Sequence, residues 1–189
     1  PVDDEEIERI LANLAQAPLG IEPDQEFRIS VAGAQEKTAL LFHEGKWMRP
    51  IGTTPTTHIL KPQLGQIPTA FGMIDMEASV DNEHYCLELM RAFGLDVANT
   101  EIVTFGKRRV LAVERFDRLW RGGSQLLRLP QEDFCQAMGV PSAQKYQNNG
   151  GPGIVNGLIL LQSADEPLKD QAAFFKAQII NWLIGATDG

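Results

Sequence analysis

A lysine at position 61 and a glutamate at position 83 follow the stretch "SVAGAQEK", residues 30 to 37, which gathers small residues around Gly33 and ends in a second lysine. Small residues let a backbone approach a ligand closely, and a phosphate needs several N–H groups facing one concavity with a cation beside them. Ala32, Gly33, Ala34, Gln35 and Glu36 could supply that backbone, and Lys37 an added cation. Lys61 could neutralise phosphate charge, with Glu83 holding its long side chain in place. Downstream, "VERFDR" brings Glu114, Arg115 and Phe116 to the end of an apolar run.

Taken singly, each residue has a plainer reading. "SVAGAQEK" could be a hairpin turn with Ser30 as its capping hydroxyl, Lys61 an exposed lysine at a strand edge and Glu83 part of a solvated helix face. "VERFDR" could be a strand with surface ion pairs. The stretch has only Gly33 and matches neither G-x-G-x-x-G nor G-x-x-x-x-G-K-[ST]. The order is harder to dismiss: a phosphate-type loop, a strand lysine and a helical glutamate form the arrangement by which kinases hold nucleotide phosphates.

These side chains need elements to position them. "DDEEIERILANLAQAP", 3 to 18, has acids first and apolar residues at Ile7, Ile10, Leu11 and Leu14, which predicts a helix ended by Pro18. Residues 37 to 52 read as a hairpin about a Gly-containing turn, and 57 to 62 as a strand. Residues 67 to 75 read as a loop leading into a helix over 76 to 94, with Val80, Tyr85, Leu87 and Met90 near one stripe and Gly94 as its cap. Two β-runs over 100 to 118 turn at Gly106 and Lys107. After Arg121 helical patterns dominate: a helix start at "LPQEDFCQAMG", a loop at "YQNNGGPG", and helices over 154 to 163 and 167 to 185 that pack together with Trp182 and Leu183 buried.

The fold class expected is therefore α+β, a small antiparallel-sheet lobe followed by a mainly α-helical one. Residues 1–20 read as an N-terminal helix and linker, 21–121 as a nucleotide-binding β-rich lobe and 122–189 as the start of the helical catalytic lobe. The 189 residues, 43% of them hydrophobic, suffice for a substantial core. A net charge of −8 argues against a broad sequence-independent contact with nucleic acid. Cys86 and Cys135 are far apart and read as buried, reduced thiols of a cytoplasmic protein; the three histidines are scattered and predict no metal site. No apolar run approaches the about 20 residues of a membrane span. The chain opens at Pro1 without Met and stops after the apolar run before "ATDG", so a piece of a longer protein is expected.

In order along the chain, "SVAGAQEK", "HILKP", Asn82 with Glu83, "VERFDR", "LPQEDFCQAMG", "GGPG" and "WLIGATDG" resemble the blocks of the HipA family, bacterial serine/threonine kinase toxins of type II toxin–antitoxin pairs. The resemblance implies a protein-kinase-like two-lobe fold with ATP and Mg2+ as cofactors. It implies ATP phosphates along Ala32 to Lys37, Lys61 as the phosphate lysine, and Glu114 to Phe116 as the hinge facing adenine. Asp188 matches the family's catalytic aspartate and Ser30 its autophosphorylation site, where added phosphate would expel the loop and silence the kinase. The family's metal-binding continuation falls beyond Gly189, so no metal site is expected within this chain. The implied partners are a HipB-type antitoxin, DNA mainly through that antitoxin, and a protein substrate such as glutamate–tRNA ligase, whose phosphorylation would inhibit translation and promote growth arrest and persistence. The rival expectation is a kinase-like scaffold that binds nucleotide and antitoxin and transfers nothing.

Overall fold

The computed structural model describes residues 1–15, 35–69 and 72–186. They form two units, one of Pro1–Leu89 with Val97–Leu129, the other of Met90–Asp96 with Pro130–Gly189.

The first unit begins with α1 (Asp4–Ala12), capped where the Asp3 carboxylate accepts the Glu6 N–H at 2.8 Å, with acids in its first turn as the helix dipole favours. Its end at Ala12, with Asn13 as cap, comes earlier than the expected stop at Pro18. The stripe Ile7, Ile10, Leu11 and Leu14 packs on a five-stranded antiparallel sheet ordered β2-β1-β3-β7-β6. Those strands are β1 (Thr38–His43), β2 (Lys46–Met48), β3 (His58–Pro62), β6 (Thr100–Phe105) and β7 (Arg108–Glu114). Leu40, Leu60, Phe105, Val110 and Ala112 complete the core from the sheet side.

Both expected hairpins form. Glu44 and Gly45 take positive φ at the β1–β2 turn, as right-handed strand twist demands of a two-residue connection. The β6–β7 turn needs glycine for a second reason: a Cβ on Gly106 would sit 1.9 Å from the Glu8 carboxylate, which accepts the Lys107 N–H at 2.9 Å.

Two further hairpins were not expected. Residues 67 to 75, read as a loop, hold β4 (Gln66–Thr69) and β5 (Gly72–Asp75); Pro68 suggested a breaker, yet β4 has β5 as its one strand neighbour, and an edge accepts proline. β8 (Arg118–Arg121) and β9 (Gln125–Arg128) pair about the positive-φ Gly122 and Gly123. Helix α2 (Ser79–Ala92) forms as expected, with Gly94 beyond it at φ 76°. Its buried residue is Val80, whereas Tyr85 is exposed.

The second unit contains α3 (Phe134–Ala137), α4 (Ile154–Leu160) and α5 (Pro167–Ile184), with short 3-10 turns between them. Asp133 and Gln136 close α3 with reciprocal hydrogen bonds of 2.7 and 2.9 Å. Phe134 stacks on Phe174 with centroids 5.1 Å apart, and Gly157 lets α4 approach so closely that a Cβ there would lie 2.7 Å from the Phe174 ring. Gln171 donates to the Leu158 carbonyl at 2.6 Å, so α4 and α5 do pack together.

Trp182 and Leu183, expected to be buried, are 80% and 65% exposed. Trp182 lies roughly 200° around α5 from the buried Ile180, and the α4 contacts at Gln171 and Phe174 fall in earlier turns. Cys86 and Cys135 are free thiols, half-buried rather than buried.

Leu60 is fully buried in the central strand. Replacing it with Ala in the full-length protein is expected to cost about 3 kcal/mol in urea unfolding, through lost transfer energy and the cavity left behind. Ile51→Ala, at a position 79% exposed, is expected to change stability by less than about 0.5 kcal/mol. A cost below about 1 kcal/mol for Leu60→Ala would remove that strand from the cooperative core.

Candidate functional site

Strand β3 alternates between two environments. Leu60 and Pro62 point into the buried side, and Lys61, between them, turns to the opposite face. There Lys61 Nζ donates to both Glu83 oxygens of α2, at 2.6 and 2.7 Å, with side chains 22% and 37% exposed. A forked carboxylate gripping one ammonium fixes the end of a flexible four-carbon stem.

The plainer readings of these two residues therefore fail. Lys61 is in an interior strand with β1 on one side and β7 on the other, and Glu83 is an ion-pair partner rather than a solvated charge.

Lys37 belongs to the same place. The register pairs Thr38 with Leu60, so continuing it by one residue sets Lys37 opposite Lys61. Lys37 is 6% exposed, and its ammonium pKa is lowered first by burial and then by the positive charge of Lys61. Gln35 reaches across as well, its amide donating to the Pro62 carbonyl at 3.5 Å. Glu36 is exposed. Register also puts Ala39, Ile59 and Val113 on the Lys61 face, the first buried and the other two half-buried. Ser30, Ala32, Gly33, Ala34 and Asp188 lie outside the described residues.

The other end of β3 and β7 carries a second polar cluster. Glu114 ends β7, its backbone N–H donating to the Asn99 carbonyl and its carboxylate accepting from Asn99 Nδ2, both at 2.8 Å. Arg115 N–H donates to the Thr57 carbonyl at 2.8 Å. Asp117, 6% exposed, accepts from Arg115 Nε and Nη2 at 3.0 Å each and from Arg118 Nη1 at 2.7 Å. Arg118 Nε also donates to the Thr56 carbonyl at 2.8 Å. In "VERFDR" the chain leaves β7 at Glu114, whose carboxylate stays exposed, while the charges of Arg115, Asp117 and Arg118 turn inward. Phe116 is 74% exposed. The part of Asp117 escaped sequence reasoning, although an Arg-x-Asp-Arg spacing after an apolar strand is the signal that could have found it.

The family described as "HipA-like C-terminal domain" matches residues 29–189. The chain belongs to that HipA family. It is 36% identical over 189 residues to the putative kinase Y4mE of Sinorhizobium fredii, a match covering 100% of this chain and 43% of that protein. It is 34% identical over 154 residues to the serine/threonine-protein kinase toxin HipA of Shewanella oneidensis, covering 81% of this chain and 33% of that one. A chain of the solved complex of HipA, HipB and operator DNA from Shewanella oneidensis MR-1 matches with a TM-score of 0.73 at 28% identity, covering 100% of this chain and 44% of that chain. The chain therefore spans less than half the length of these relatives.

The HipA match makes the fold α+β and kinase-like, as expected, with the curled antiparallel sheet in the first unit. Among the described residues no helix is long and apolar enough to cross a membrane, and no group of three or more His, Cys, Asp or Glu could hold a metal ion.

Burial pushes the Asp117 carboxyl upward, but the guanidiniums of Arg115 and Arg118 outweigh it and hold the pKa below the usual aspartate value. A lowered carboxylate pKa adds stability that is complete above the unfolded value of about 4 and is lost as pH falls through the folded value. Asp117→Asn is therefore expected to cost about 3 kcal/mol at pH 7, because two buried guanidiniums lose their counter-charge. In urea titrations the two proteins should converge as pH drops below about 4. Equal stability at pH 7 would refute the account.

Proposed function

We propose that the full-length protein is an ATP-dependent serine/threonine protein kinase. The observation that carries the reading is the Lys61–Glu83 ion pair beside the buried Lys37, on one sheet face of a HipA-family chain. Two cations and a half-buried apolar strip at Ile59 and Val113 suit a nucleotide, whose phosphates need positive charge and whose base needs a surface to cover.

In this reading Lys61 and Lys37 neutralise the ATP phosphates and Glu83 keeps Lys61 aimed. The backbone of 32 to 36 lies along the phosphates, and Glu114 to Phe116 face the adenine. Asp188 accepts the proton of a serine or threonine hydroxyl, whose oxygen bonds to the γ-phosphorus as the bond to the β-phosphate oxygen breaks and ADP leaves. Mg2+ supplies charge neutralisation to such transfers, but no cluster of the described residues is suited to hold it, and it is assigned to none of them. Autophosphorylation at Ser30 would place about −1.5 to −2 charges beside the nucleotide phosphates and shut the enzyme off by repulsion.

The relatives' names and the solved complex support a wider role, as the toxin of a toxin–antitoxin pair held by a HipB-type antitoxin and brought to operator DNA mainly through it. The protein target would be of the kind of glutamate–tRNA ligase, with translation arrest and persistence as the outcome in the cytoplasm.

The test is phosphate transfer from labelled ATP by the full-length protein. Lys61→Ala is expected to lower transfer by roughly 100-fold or more while shifting the thermal midpoint by only a few degrees, since Lys61 contributes phosphate charge rather than core. Nucleotide and antitoxin binding with no transfer by the unaltered protein would favour the scaffold, and equal losses of activity and stability would return Lys61 to a structural role.

A further inference from the structure

Helix α2 has one buried side chain, Val80. A set of polar ties adds to its hold on the first unit. Leu64 N–H donates to Ser79 Oγ at 2.9 Å, Lys61 grips Glu83, and His84 Nδ1 lies 2.8 Å from Thr100 Oγ1. Arg109 of β7 forks onto Asp81: Nη2 donates to Oδ1 at 2.6 Å and Nη1 to Oδ2.

The placement of these ties around the helix matters. At roughly 100° per residue, Glu83 lies about 60° to one side of Val80 and Asp81 about 100° to the other. A rotation of α2 that swings Glu83 away from Lys61 therefore has to pull Asp81 across Arg109. Arg109 resists, because it is held at several points. It precedes the fully buried Val110 in β7, its Nη1 also reaches Gln63 Oε1 at 3.3 Å, and its carbonyl accepts the Gln63 N–H at 3.0 Å. A planar guanidinium meeting a carboxylate through two parallel bonds fixes orientation as well as distance. The hydrogen bonds from Arg109 hold the Asp81 carboxyl below the usual range, so the pair stays charged at neutral pH. Both side chains remain substantially exposed, 37% and 53%, so the pair contributes little to global stability.

We propose that Asp81 and Arg109 are positioning residues that set the rotation of α2 and thereby keep Glu83 on Lys61, a role that rests on the kinase reading above. The pair touches no reacting atom; it acts through Glu83.

The experiment uses the full-length protein and two independent readouts. The first is the rate at which acetic anhydride acetylates Lys61, followed by peptide mass spectrometry, which needs no nucleotide. An ammonium clamped by a carboxylate reacts slowly, so Arg109→Gln is expected to raise Lys61 labelling several-fold, toward the rate in Glu83→Gln. The second is phosphate transfer, expected to fall roughly 10- to 100-fold in Arg109→Gln with the thermal midpoint nearly unchanged. The charge-exchanged double variant Asp81→Arg with Arg109→Asp is expected to recover slow labelling and most of the transfer. Wild-type labelling of Lys61 in Arg109→Gln would overturn the proposal. So would a loss of thermal stability that accounts for the lost activity, or a folded double variant that recovers neither readout. If the unaltered protein transfers no phosphate, the kinase reading fails, while the labelling rates still decide whether Arg109 governs the pair.

Discussion

The pleat of β3 is the constraint on which both core and site depend. Successive residues of a strand face opposite ways, so Leu60 and Lys61 cannot share an environment. Antiparallel partners on both sides hold the register, Leu60 opposite Ala112 and Lys61 opposite Leu111. A slip of one residue would bring a lysine into the α1 side and expose a leucine where Glu83 waits. Packing Ile7, Ile10 and Leu11 against Leu60 therefore also aims Lys61, and the energy that holds the core is the energy that positions the cation.

Helix α1 and the first-unit part of α2, Ser79–Leu89, are attached by different physics. α1 is held by an apolar stripe, which is insensitive to direction and hard to shift without unfolding. α2 buries one side chain, Val80, and its ties include hydrogen bonds and ion pairs, which are directional and individually weak. An element fixed in that way can change its rotation at little cost, and such elements are the ones that move in regulated enzymes. The same weakness explains why more than one polar tie is needed to give Glu83 a single position.

Much of this was legible in the sequence, for stated reasons. The α1 stripe, the two expected hairpins of the main sheet and the order of Lys61 before a helical Glu83 rest on periodicity and turn chemistry, which are local. The β4–β5 hairpin was missed because Pro68 reads as a breaker unless the strand is known to be an edge. The exposure of Trp182 in this chain was not legible, because apolar character does not say which side of α5 finds a partner here. Asp81 with Arg109 is 28 residues apart in sequence, and Asp117 is met by two arginines that are themselves tied to Thr56. The first has no local signature, and the second has only its Arg-x-Asp-Arg spacing.

Asp117 shows why a buried charge is tolerated beside this site. The chain leaves the sheet at Glu114 and must turn before β8, and its backbone cannot be satisfied by strand neighbours there. Arg115 and Arg118 reach back to Thr56 and forward to Asp117, Thr57 accepts the Arg115 N–H, and Leu129 donates to the Asp117 carbonyl at 2.9 Å. Apolar side chains of the same volume could fill the space and could cost less desolvation, but they would satisfy none of those groups and would fix no orientation. The polar cluster at this end of β3 and β7 and the lysine–glutamate pair at the other are thus joined by the same two strands. The base and phosphate positions proposed for a nucleotide are set by one hydrogen-bonded ladder, so a change that shifts one of them along β3 must disturb the other.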